Sequence, residues 1–176
     1  NIGSVLLRTY GDDNVMVRAK AMAAAGSDAR MNGCEMPVVI NSGSGNQGMT
    51  TSLPVIEYAK ELKVSDEKLY RALALANLTT IHQKTGIGRL SAFCGAVSAG
   101  AGAGAGIAYL MGTDLDGISH TVANAIATTG GIVCDGAKAS CASKIATAVK
   151  AGILGYNMHV QNQNFQPDDG LVGDTP

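Results

Sequence analysis

Apolar positions along most of this chain recur three or four residues apart, the spacing of helices rather than the alternation of strands. Ile2 to Leu7 is a short amphipathic run. Residues 14–25 read as a helix capped by Asn14 and stopped by Gly26. Pro37 opens a brief extended piece, Val38 to Ile40. Thr50 or Thr51 is placed to cap a helix running to about Leu62, with Pro54 tolerated in its first turn. Ser65, followed by Asp66 and Glu67, opens a helix to about Gln83, the acidic pair suiting the positive helix end. After a turn at Gly86 to Gly88, Ser91 is the expected cap of a long helix to Leu110. Two more helices are predicted, from about Asp116 to Thr129 and from Ser140 to Ala151. The polar stretch 157–176 reads as a loop or frayed tail. The fold class predicted is mainly α, with at most a short extended segment near 37–41.

Composition narrows this further. A chain of 176 residues can bury one good core, so one domain over 1–176 is expected, two small lobes at most. With 23 Gly, abundant Ala and no Trp, that core must be filled by close backbone approach, as in a bundle of packed Gly/Ala-rich helices. The net charge is −1 and the 13 Lys and Arg are scattered, which excludes the concentrated basic face of a nucleic-acid binder. The run from Ala92 to Met111 is long enough to raise a membrane span, but it is mostly Gly and Ala. Small residues at such spacing also serve tight packing in a soluble bundle, and that is the expectation. No signal peptide is visible and the first residue is not Met, so a cytoplasmic piece of a longer polypeptide is expected.

The most conspicuous motif is the loop Asn41-Ser-Gly-Ser-Gly-Asn-Gln-Gly48, in which Gly43, Gly45 and Gly48 match G-x-G-x-x-G. A dinucleotide site also needs a second strand ending in an acidic residue for the ribose. Here one helix is followed by another, so the spacing lacks the unit that gives it meaning.

The cysteines are the other chemical signal. Cys94 and Cys141 are both expected in the first turn of a helix, where free N–H groups and the positive dipole end favour thiolate. Cys134 lies in the Gly-rich stretch Gly130-Gly-Ile-Val-Cys-Asp-Gly136. His120, Asn124 and Thr128, four apart, form a polar stripe leading towards it, and Lys138 follows as a cation. Packing alone also accounts for small buried thiols. Zinc is less natural because close C-x-x-C pairs are absent. Cys34, in Asn32-Gly-Cys-Glu-Met-Pro37, has no comparable context.

Three stretches together are similar to a known family: the loop 41–48, Lys84-Thr-Gly-Ile-Gly-Arg-Leu-Ser-Ala-Phe-Cys-Gly95 and Gly131-Ile-Val-Cys-Asp-Gly-Ala-Lys-Ala-Ser-Cys141. They resemble the C-terminal domain of iron–sulfur L-cysteine desulfidases, a family related to the α-domain of iron–sulfur L-serine dehydratases. The resemblance covers nearly the whole chain. The spacing of forty positions from Cys94 to Cys134 and seven more to Cys141 leans towards the desulfidase branch.

The resemblance implies that Cys94, Cys134 and Cys141 hold a [4Fe-4S] cluster with one iron open to substrate. It implies β-elimination of L-cysteine to pyruvate, ammonia and hydrogen sulfide. L-serine dehydration is the nearest alternative, and a non-catalytic helical domain that binds an amino acid, or one stabilised by zinc, is the alternative outside catalysis. On this reading Ser42, Gly43, Ser44, Gly45, Asn46 and Gln47 grip the substrate carboxylate or line the pocket, aided by His120 and Lys138. His82, Lys84 and Arg89 are secondary candidates for charge balance. The family's proton-transfer cysteine belongs to an N-terminal half that is not seen here, and Cys34 does not match its motif. The catalytic base is therefore expected in the protein's own N-terminal domain, which would leave this chain inactive alone. A homo-oligomer is left open.

Overall fold

The computed structural model describes residues 1–173, so the last three positions of the expected tail lie outside the described residues. Seven helices run in chain order: α1 Ile2–Tyr10, α2 Val15–Met31, α3 Gly45–Leu62, α4 Asp66–Ile87, α5 Gly95–Leu110, α6 Leu115–Thr129 and α7 Cys141–Val160. Among the described residues there is no sheet, only the isolated bridges Asn41–Ser44 and Phe93–Val133. The fold is a mainly α bundle, and the extended piece before Asn41 joins no strand.

The Gly/Ala helix α5 is its axis, packed against α3, α4, α6 and α7. Its glycines alternate between two neighbours. A Cβ on Gly100 would meet the Ala148 carbonyl of α7 at 2.5 Å, and one on Gly104 would meet Gly152 at 2.8 Å. One on Gly102 would collide with Thr80 and lie 2.6 Å from the Ala76 carbonyl, both on α4. Small residues thus let three backbones approach, and Val55, Ile107, Ile145 and Val149 fill what space remains. Among the described residues no helix is long and apolar enough to cross a membrane.

Several boundaries differ from the sequence expectation, and each has a local cause. Helix α2 runs through Gly26, because that glycine makes room for Met49 of α3, where a Cβ would stand 2.9 Å from its sulfur. Helix α7 continues nine residues past Ala151, since Gly152 and Gly155 are packing contacts and not stops. Gly155 lies against the Thr121 carbonyl of α6, 2.5 Å from a would-be Cβ. The segment after α7 is also held: Asn124, fully buried on α6, donates to Asn164 Oδ1 at 3.0 Å and accepts from the Phe165 N–H at 3.0 Å. Helix α4 gains a turn beyond Gln83, which carries Lys84 into the helix before Gly88 ends it with φ +83°.

The largest correction concerns the glycine loop. Ser44, and neither Thr50 nor Thr51, caps α3, accepting from the Gln47 N–H at 3.4 Å. Thr50 and Thr51 are interior and buried; Thr51 Oγ1 pairs with Thr80 Oγ1 at 3.2 Å. Pro54 accordingly sits inside the helix instead of in its first turn. Ser42 and Gly43 both have positive φ, and Asn41 and Ser44 exchange backbone hydrogen bonds at 3.2 and 3.0 Å, the geometry of a tight primed turn. Gly48 is needed because the Val39 carbonyl lies where its Cβ would be. The Gly spacing records a turn and a close packing contact.

Candidate functional site

Three helix N-termini, those of α3, α5 and α7, open on one cavity of about 410 Å³, within the usual size range of small-molecule sites. Ser42, Gly43, Ser44, Asn46 and Gln47 form one wall. Lys84, at the end of α4, and the linker residues Arg89 to Ser91 form a second. Cys94, Gly95 and Ala96 begin α5, while Cys134, Gly136, Ala137, Cys141 and Ile145 complete the far side.

The turn carrying the first wall is anchored to the bundle. Asn41 is buried and donates to the Asn77 carbonyl and side-chain oxygens of α4 at 3.2 and 2.9 Å. Much of the loop's own hydrogen bonding is spent internally: the Ser42 hydroxyl donates to Asn41 Oδ1 at 2.8 Å, and Ser44 Oγ serves the cap. What the wall offers the cavity is two side-chain amides. Arg30 donates to Asn46 Oδ1 at 3.1 Å. Gln47 is buried, and its Oε1 has no partner. Gln47 lies across the start of α5, where a Cβ on Gly95 would stand 2.5 Å from its amide carbon.

Two of the three thiols, Cys94 and Cys134, are carried by segments that pair with each other. The Cys94 N–H donates to the Ile132 carbonyl at 3.1 Å, and the Cys134 N–H to the Ala92 carbonyl at 2.7 Å. A lysine that sequence reading passed over, Lys144 on α7, fastens the second segment. Its ammonium donates to Asp135 Oδ1 at 2.7 Å and to the Val133 carbonyl at 3.1 Å. Asp135 also accepts from the Ser140 hydroxyl at 3.2 Å, tying the loop to the start of α7. Cys141 donates weakly to the Gly136 carbonyl at 3.4 Å and accepts from the Lys138 N–H at 3.5 Å.

Burial and neighbouring groups both act on the Cys94 thiol. Cys94 is the N-cap of α5, not a first-turn residue after Ser91, whose hydroxyl instead closes a local turn to the Phe93 N–H. Burial pushes the Cys94 thiol up, which overrides the N–H of Ala96 that favours its thiolate; the neighbouring Cys134 and Cys141 push it up further, while Lys144 opposes them. The expectation of a thiolate favoured by a helix end is therefore reversed at this position. The hydrogen bond from Lys144 holds the Asp135 carboxyl below its ordinary range, and Asp135 in turn raises Lys144.

Not every residue singled out in the sequence reaches this cavity. Gly45 lies behind the wall, where a Cβ would meet Val38 at 2.5 Å. His120 stacks on His159 of α7, ring centroids 5.8 Å apart, and stands 3.9 Å from Asp116. The rest of its stripe is consumed by packing: Asn124 binds the segment after α7, and Thr128 donates back to the Asn124 carbonyl at 2.7 Å. Lys138 and His82 are exposed outside the lining, and Cys34 is exposed just after α2. Lys84 and Arg89 do line it.

Among the described residues, no three His, Cys, Asp or Glu side chains stand close enough together to hold a single metal ion. The three thiols of Cys94, Cys134 and Cys141 nevertheless line the one cavity.

Residues 2–175 match the family described as serine dehydratase alpha chain. The chain belongs to that family. A UPF0597 protein of Desulfitobacterium hafniense is 69% identical over 172 residues, covering 98% of this chain and 40% of the relative. A UPF0597 protein of Lachnoclostridium phytofermentans is 63% identical over 175 residues, covering 99% of this chain and 42% of its own length. One from Finegoldia magna is 56% identical over 163 residues, 93% of this chain and 39% of the relative. The chain thus spans about two-fifths of the length of the curated relatives it matches. No solved structure matches it. Within this serine dehydratase alpha-chain domain, Lys144 and Gly95 had no signal in the sequence, because Lys144 acts on Asp135 and Val133 and Gly95 on Gln47, and neither pairing follows a helical spacing.

Proposed function

We propose that residues 1–176 are the cluster-binding domain of a carbon–sulfur lyase that removes the β-substituent of L-cysteine, the net reaction consuming water and releasing pyruvate, ammonia and hydrogen sulfide. The observation that carries this reading is the opening of Cys94, Cys134 and Cys141 on one cavity beside the buried amides of Asn46 and Gln47. Those three thiolates would hold a [4Fe-4S] cluster, which supplies Lewis acidity at an iron without a protein ligand. The chain's own residues do the rest of what this domain contributes. The turn at Ser42 to Ser44 and the first turn of α3 bind and orient the amino acid, with Asn46 and Gln47 as polar contacts. Lys144 holds the Cys134 loop in place through Asp135 and Val133. The group that takes the α-proton belongs to the remainder of a longer protein, with the second chain that an alpha-chain family implies as the other source.

L-serine dehydration is the second reading, favoured by the family's description as a serine dehydratase chain. Product analysis separates the two. The full-length protein, reconstituted anaerobically, is expected to release sulfide and pyruvate from L-cysteine faster than pyruvate from L-serine. Faster turnover of L-serine would exchange the two readings, and no turnover of either would remove both.

A further inference from the structure

Lys84 is a charged residue that the fold buries and leaves without a partner. It is 4% exposed, lies in the last turn of α4, and lines the same cavity as the turn at Ser42 to Ser44. Among the described residues it makes neither a hydrogen bond nor an ion pair, while Lys60 and Lys144 each reach a carboxylate. The aliphatic stem of Lys84 is enclosed, while its ammonium, which is not among the fully buried polar atoms, opens to the cavity. The charge is therefore available to whatever enters the cavity.

The surroundings say which part of a ligand it would meet. In the same lining, Arg30 occupies Asn46 Oδ1 at 3.1 Å, which leaves the Asn46 amide N–H groups as the free end of that side chain. A buried cation and an amide donor on one small cavity match a carboxylate, which accepts at two oxygens. Arg89 lines the same cavity but is exposed on a linker, where solvent screens it more strongly. The burial of Lys84 is what sets it apart.

We propose that Lys84 is the carboxylate anchor of this site, pairing with the α-carboxylate of an amino-acid ligand while Asn46 donates to the same group. The inference rests on the amino-acid reading given above and adds a residue that determines specificity. It predicts that the site distinguishes a free amino acid from its amide, and that Lys84 is the origin of the distinction.

L-alanine and L-alaninamide test this, since both lack a leaving group and differ at the carboxyl end. Their binding to the full-length, anaerobically reconstituted protein is measured by calorimetry, with iron and sulfide content assayed in parallel. The parent protein should bind L-alanine more tightly. Lys84→Met should weaken L-alanine by about 10- to 100-fold, the range of a charge-assisted hydrogen bond, and leave L-alaninamide unchanged. Lys84→Gln, polar but uncharged, should show the same loss; Lys84→Arg should keep most of the preference, and Arg89→Met nearly all of it. Iron and sulfide content should not change. A Lys84→Met or Lys84→Gln protein that still prefers L-alanine, or that loses both ligands equally, would overturn the assignment. So would a fall in iron content with the preference intact, which would make Lys84 a partner of the cluster. A parent protein that binds neither ligand would instead refute the amino-acid reading itself.

Discussion

The amide of Gln47 occupies the space that a side chain on Gly95 would need: a Cβ there would stand 2.5 Å from Gln47 Cδ and 2.6 Å from its Nε2. The first turn of α3 and the first turn of α5 are thereby interlocked at the cavity wall. Because the displaced atoms are the far end of a flexible side chain, Gly95→Ala should move Gln47 more than it unfolds the protein. The expected change in stability is within about 1 kcal/mol, part of the strain being offset by alanine's better helix propensity. On the proposed function, the substrate KM of the full-length protein should rise as it does in Gln47→Ala, and the double variant should be no worse than either single one. Additive effects in that double-mutant cycle would separate the two residues.

Lys144 is a positioning residue for the segment bearing Cys134. Replacing it by Met removes the bonds to Asp135 and to the Val133 carbonyl. Amide hydrogen exchange is the direct readout. The Cys134 N–H, bonded to the Ala92 carbonyl, should exchange faster in Lys144→Met, while the amides of central α5 stay protected. Unchanged exchange at Cys134 would show that the backbone pairing holds the loop without the lysine.

Burial pushes the Tyr58 phenol up to about 12, with Tyr156 adding to the effect. The neutral phenol is thus favoured by the fold. Its contribution is complete below about pH 10, where the unfolded phenol is also neutral, and it is lost as the pH rises towards 12. Between those limits the protein should lose about 2 to 3 kcal/mol of stability on this account. Denaturant titrations at pH 9 and pH 11.5 measure the difference, and Tyr58→Phe should shrink it. An equal alkaline loss in that variant would assign the effect to other groups.

What could be read from the sequence was local. Asn14 and Ser65 cap helices as expected, because a side chain accepting from an N–H two or three residues on depends only on its neighbours. The Gly/Ala composition correctly implied close helix packing. Ser44 was passed over because Gly45 and Gly48 look like loop residues until Val39 is seen lying over Gly48. Gly152 and Gly155 look like stops until α5 and α6 are placed beside them. For His120 the helical period gave a face but not its neighbour, which is His159. The trio of cysteines came from resemblance and spacing. The partners of Lys144 and Gly95, and the burial of Lys84, needed the fold.

The central claim is that Cys94, Cys134 and Cys141 act as one ligand set. Iron and acid-labile sulfide per chain, measured after anaerobic reconstitution of the full-length protein, test it most directly. The parent and Cys34→Ala should each bind about four irons and four sulfides. Cys94→Ala, Cys134→Ala and Cys141→Ala should each lose them while remaining folded. A parent that binds no iron, or any one of those three variants that retains full iron and sulfide, would contradict the claim.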